Sequence, residues 1–218
     1  MTNPAHHSAD ALAYVHRFEP ALNPGAAPLL LLHGTGGDES DLLPLGRMLS
    51  PDAALLSPRG NVLEGGMPRF FRRLAEGVFD HEDVRRRSDE LAGFVVDARS
   101  RYGLAAPMAV GFSNGANIAA AVLLRHPGVL AGAVLLRAMV PLEEAGIGDL
   151  AGTPVLILSG SMDPIVPAAN AATLAGMLTA AGAAVEHVTL PAGHGLTQAD
   201  LAKAQAWFGA VQAQGKVA

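Results

Sequence analysis

Three residues have the types and settings for nucleophilic catalysis: Ser113, Asp163 and His194. Ser113 lies in Gly111-Phe112-Ser113-Asn114-Gly115, directly after the apolar run Met108 to Phe112 and before a helical stretch. This is G-x-S-x-G with strand, turn and helix in the required order, where the glycines leave room for a sharp turn that pushes the serine hydroxyl outward. A serine hydroxyl attacks well only when a base takes its proton, so a histidine must come from elsewhere in the chain. Of the eight histidines, His194 stands in Pro191-Ala192-Gly193-His194-Gly195, a glycine-flanked loop between a strand and a helix. His187 falls inside a strand pattern and His126 ends a helix before Pro127, while His6, His7, His16 and His81 lie outside any comparable loop. His33 is the rival; it opens a glycine loop and is expected to brace it through a hydrogen bond.

The imidazole needs a carboxylate to hold its tautomer. Asp163 follows the apolar run Pro154 to Leu158, within Ser159-Gly160-Ser161-Met162-Asp163-Pro164. The position after the preceding strand offers Arg137-Ala138-Met139 and no carboxylate until Glu143. Asp before Pro also suits the start of a helix, but Ser, Asp and His then occur in the chain order that such a triad uses. A tetrahedral intermediate requires N–H donors for its oxyanion. The amide of Asn114 is one, and the loop His33 to Gly37 is placed to give the other from Thr35. That loop is no phosphate cradle, because it lacks a Lys-Ser/Thr pair and has Glu39 where G-x-G-x-x-G needs its last glycine.

The elements that must position these residues follow from the apolar pattern. Continuous apolar runs at 28–32, 53–56, 108–112, 132–136 and 154–158, with a last strand at 185–190, predict strands buried on both faces. A weaker edge strand is expected over 11–18, after a tail at 1–10. Residues 82–102 carry apolar side chains at helical spacing and end at Gly103; 115–124, 168–181 and 198–211 are read as further helices. Alternating strands and helices imply a mostly parallel sheet with helices on both faces.

Composition narrows the ligand. Half of the 218 residues are apolar and 16% are charged, which suits one compact domain over 1–218. The formal charge of −5 disfavours nucleic acid, and a small molecule is the expected partner. With no cysteine and no His-carboxylate cluster at metal spacing, neither a metal nor another cofactor is expected. There is no leader pattern and no membrane span, so a cytoplasmic location is expected. Arginine outnumbers lysine thirteen to two, a ratio read as coding bias.

Taken together, the segments 33–39, 111–115, 160–167 and 193–195 resemble the phospholipase/carboxylesterase group of α/β-hydrolases, to which acyl-protein thioesterases also belong. Ser57-Pro58-Arg59-Gly60 and Met67-Pro68-Arg69-Phe70-Phe71 are similar to its bacterial carboxylesterase branch. The resemblance spans about 29–208. It implies an α/β-hydrolase fold and a serine carboxylesterase acting on short-chain or aryl esters, the alternative being a thioesterase or lysophospholipase with the same triad. A non-catalytic ligand-binding member is the remaining reading. Thioesterase-type members commonly have Gln where this chain has Asn114. Only 137–153 separates two strands between which many lipases insert a cap domain, so an open cleft without a cap is expected. The resemblance brings the loop 59–81 to the cleft, with Phe70 and Phe71 as candidate substrate contacts. Met139 and Val166, just past strand ends, are candidates for the acyl pocket. A mean hydropathy of +0.29 and the habit of similar carboxylesterases point to a homodimer.

Overall fold

The computed structural model describes residues 12–143 and 148–215, which leaves the expected tail at 1–10 and both of its histidines outside the described residues. Its centre is a seven-stranded sheet built from β1 (His16–Glu19), β2 (Leu29–Leu32), β3 (Leu55–Pro58), β8 (Met108–Phe112), β9 (Gly132–Leu136), β10 (Pro154–Gly160) and β11 (Ala184–Leu190). In space the order is β1-β3-β2-β8-β9-β10-β11. Only β1 runs antiparallel, and it pairs with β3.

The apolar runs divide between two faces because successive strand side chains point opposite ways. Leu30 and Leu32, Ala133 and Leu135, Val155 and Ile157 enter one core layer with Phe94 and Ile118. Leu29 and Leu31, Val134 and Leu136, Leu156 and Leu158 enter the other with Trp207 and Phe208. The first layer is covered by α2 (His81–Tyr102), α3 (Asn114–Arg125) and α4 (Ala168–Ala180), and the second by α1 (Leu43–Leu49) and α5 (Gln198–Ala213). α2 starts where Asp80 accepts the Asp83 amide, and stops at Gly103, whose φ of 65° is a left-handed cap.

Three sequence expectations change. The edge strand shifts from 11–18 to His16–Glu19, since it pairs only where it lies beside β3. α1 carries no side-chain cap and was not predicted. The loop 59–81 folds into two hairpins, β4 (Val62–Glu64) with β5 (Met67–Arg69) and β6 (Arg73–Ala75) with β7 (Val78–Phe79). Gly65 and Gly66, at φ 57° and 85°, form the first turn, which only residues tolerating left-handed backbone fit easily. Between β9 and β10 the described residues contain no helix or strand, in keeping with an uncapped fold. Among them no helix is long and apolar enough to cross a membrane.

Backbone packs closely against backbone beneath the start of α3. A Cβ on Gly115 would stand 2.0 Å from the Leu32 carbonyl oxygen and 2.6 Å from that of His33. Gly115→Ala should therefore lose roughly 2–3 kcal/mol of stability, as overpacking against rigid backbone does. A urea denaturation midpoint equal to that of the parent would show that α3 can move away at no cost.

Candidate active site

β8 ends at Phe112, and the chain reverses into α3 through Ser113, at φ 51° and ψ −113°. A positive φ at a serine is strained. It is held by the Ser113 amide donating to the Leu136 carbonyl at 2.8 Å and by the close contacts of the flanking glycines; a Cβ on Gly111 would lie 2.6 Å from the Gly115 oxygen. The turn carries Ser113 Oγ to 2.9 Å from His194 Nε2, whose Nδ1 is 2.9 Å from Asp163 Oδ2. The three residues singled out in the sequence thus form one continuous hydrogen-bonded row.

The Asp163 side chain is fully buried, and its other oxygen accepts the amides of Ile165 and Val166 at 2.8 and 3.1 Å. Burial by itself would raise its pKa, but these amides and His194 outweigh it and keep the carboxyl below the usual value. An ionised carboxylate fixed from three sides orients the imidazole. Asp163 caps no helix, since α4 begins after Pro167.

Thr35 and Asn114 both line the same cleft, and neither of their backbone amides donates to another group among the described residues. Two unpaired N–H groups beside a serine hydroxyl are what a developing oxyanion needs. The segment Met67 to Phe70 steadies both: the Gly36 amide donates to the Pro68 carbonyl at 3.0 Å, Arg69 Nη1 to Thr35 Oγ1 at 2.6 Å, and the Phe70 amide to Asn114 Oδ1 at 2.7 Å. His33 is a brace, as expected. Its Nε2 accepts the Gly60 amide at 2.9 Å while Nδ1 contacts the Gly34 oxygen at 2.6 Å, and burial lowers its pKa.

The cleft holds about 290 Å³. Met139 and Val166 both line it, with Phe79 and Ile165 completing an apolar wall. Met139 is held by its amide donating to Asn117 Oδ1 at 2.7 Å. Phe70 and Phe71 must be corrected. They are 1% and 0% exposed, belong to the core beneath α2 and α3, and do not line the cleft. The hairpins explain the difference: with the Phe70 amide tied to Asn114, both rings turn inward, and Phe71 packs edge-on, 5.0 Å between centroids, under Phe79. Phe79 is the ring that reaches the cleft.

Arg137 was missed by sequence reasoning. Fully buried and at φ 57°, it follows β9 and donates to the Gly193 carbonyl at 2.8 Å and the Gly195 carbonyl at 3.2 Å, on either side of His194. Its guanidinium pairs with Asp200 at 2.7 and 2.8 Å, and Asp200 also closes the capping box of α5 with Thr197. The only signal was a lone charge ending an apolar strand. Asp200 sits below the ordinary carboxyl value: burial opposes this, but Arg137 and Thr197 dominate. Among the described residues no group of His, Asp and Glu is arranged to hold a metal ion.

This sheet order, with a serine turn after β8 and an imidazole loop after β11, defines an α/β-hydrolase, and the protein is an enzyme of the serine-hydrolase class. A family model described as Phospholipase/Carboxylesterase matches residues 17–211, and the chain belongs to that family. It is 47% identical over 182 residues to MhqD of Bacillus subtilis (strain 168), named a hydrolase, covering 83% of this chain and 91% of the relative. The crystal structure of the Bacillus cereus carboxylesterase superposes with a TM-score of 0.89 at 44% identity, covering 91% of this chain and 94% of that one. A carboxylesterase from Mesorhizobium loti gives 0.79 at 34% identity, with 84% and 88% covered.

Asp200→Asn should leave the Arg137 cation buried and unpaired, at a cost of about 3 kcal/mol at neutral pH. The folded-state pKa of Asp200 is depressed, so its contribution is present above the unfolded carboxyl value of about 3.9 and is lost as pH falls through the folded value. Urea unfolding from pH 7 to pH 3 should therefore show a shallower acid decline in the variant. Parallel curves would mean that Asp200 does not contribute.

Proposed function

We propose that the protein is a carboxylesterase that cleaves short-chain or aryl esters through an acyl-enzyme on Ser113. The observation that carries this reading is the row Ser113 Oγ, His194 and Asp163, with both links at 2.9 Å, beside the unpaired amides of Thr35 and Asn114. His194 Nε2 takes the hydroxyl proton as Oγ attacks the ester carbonyl. The carbonyl oxygen becomes an oxyanion held by the two amides, and the imidazolium is stabilised by Asp163. Collapse of the intermediate breaks the bond to the alcohol oxygen, which leaves with the proton from His194. Water, deprotonated by the same imidazole, then attacks the acyl-enzyme and releases the acid.

Replacing Ser113 with alanine should lower turnover by about 10³-fold or more while the fold remains intact. A fluorophosphonate should add one phosphonyl group to the parent and none to the variant, read by intact mass. Labelling at another residue, or turnover in the variant within tenfold of the parent, would remove Ser113 from the mechanism.

The small apolar wall of Phe79, Met139, Ile165 and Val166 supports short acyl groups, since each extra CH₂ gains about 0.8 kcal/mol only where there is a surface to cover it. Along a p-nitrophenyl ester series kcat/KM should peak at short acyl chains. A maximum at palmitate would favour the thioesterase or lysophospholipase alternative.

A further inference from the structure

Cations outnumber carboxylates around the cleft. Among the described lining residues are Arg69, Arg73 and Arg137 but a single carboxylate, the exposed Glu76 on the turn between β6 and β7. Arg137 is fully committed to Asp200 and to the loop carbonyls around His194. Arg69 and Arg73 are different. Both lean on one carboxylate, Glu64, with Arg69 Nε at 3.2 Å and Arg73 Nη2 at 2.8 Å.

Two guanidinium groups sharing one carboxylate leave a positive charge in excess, and Arg69 is only 2% exposed. Its Nε also donates to the Phe71 carbonyl and its Nη1 to Thr35, while Nη2 makes no hydrogen bond among the described residues. Arg73 likewise leaves Nη1 without one. Burial, with the neighbouring Arg73, lowers the Arg69 pKa, as expected for a cation that gives up water without a full counter-charge. A buried charge short of partners is costly, and planar guanidinium groups with spare donors match a small oxyanion such as a carboxylate. Thr35 fixes the place: the Arg69 head group touches the loop that also presents an unpaired amide to the ester.

We propose that Arg69 and Arg73 form a subsite for a carboxylate carried by the substrate, so that the preferred substrates are short esters bearing a free acid group, such as half-esters of small dicarboxylic acids. This rests on Ser113 being the ester-cleaving nucleophile. The apolar wall then receives the short hydrocarbon spacer between acid and ester.

Monomethyl and dimethyl glutarate have the same length and differ in charge, so their kcat/KM ratio in a pH-stat isolates the subsite. A second pair, 4-acetoxybutanoate and its methyl ester followed by acetate release, carries the acid on the alcohol side. In one of the pairs the acid should be favoured by about tenfold or more, the scale of one charge-assisted hydrogen-bonded pair. The favoured pair locates the acid relative to the scissile bond. Added salt should shrink the preference in the parent protein, and Arg73→Gln should shrink it several-fold. Cleavage of the neutral esters with no preference for the acid in either pair would overturn the subsite while leaving the esterase reading in place. So would a preference indifferent to both salt and Arg73→Gln. If none of these esters is cleaved, calorimetry of Ser113→Ala with monomethyl against dimethyl glutarate still decides it, equal or absent binding of the acid counting against the subsite.

Discussion

The site depends on how closely α3 approaches the backbone of β2. With no side chain at Gly115, the first turn of α3 rests directly on the carbonyls of Leu32 and His33. This contact places the unpaired amide of Asn114 beside the loop that carries Thr35, so the two candidate oxyanion donors come from chain segments about eighty residues apart. The same closeness forces Ser113 into its positive φ, because α3 cannot begin farther from the sheet edge and give the turn more room. A helix N-terminus, with its partial positive charge, beside the Ser113 hydroxyl comes with that geometry.

The remaining parts serve to keep this arrangement rigid. The hairpins after β3 tie the Thr35 loop and the Asn114 side chain to the one segment Met67 to Phe70, so neither donor can shift without disturbing the other. On the opposite side of the serine, Arg137 does the equivalent for the histidine. It grips the carbonyls before and after His194 and is itself locked by Asp200 at the start of α5. The glycines that let the His194 loop pass over the sheet edge would leave it loose; the buried guanidinium restores the order they give up.

What could be read from the amino-acid sequence follows from these two kinds of constraint. The parallel strands were legible because burial on both faces makes each an unbroken apolar run, as Leu29 to Leu32 shows. Ser113, Asp163 and His194 were legible because each sits in a turn whose glycine or proline neighbours mark it locally. Arg137 was not, since its meaning depends on Asp200, sixty-three residues away, and a lone arginine resembles any other in a chain rich in them. The hairpins over 62–79 were hidden because strands of two or three residues have no room to display an alternation. Without them Phe70 and Phe71 were assigned to the cleft that Phe79 in fact reaches.

The arginines also show why composition alone was a poor guide to charge. A chain with a net charge of −5 still concentrates guanidinium groups around its serine, and what separates them is how completely each is matched. Arg137 has carbonyl and carboxylate acceptors around its head group, so it is structural, and a ligand anion would have nothing to offer it. Arg69 lines the cleft and has a carbonyl, a hydroxyl and half of a shared carboxylate, with one nitrogen left without an acceptor among the described residues. Net charge governs what the protein meets at a distance through solvent and salt. Inside a partly desolvated cleft the local deficit of acceptors counts for more, because screening is weaker there and every unmatched donor keeps its full cost.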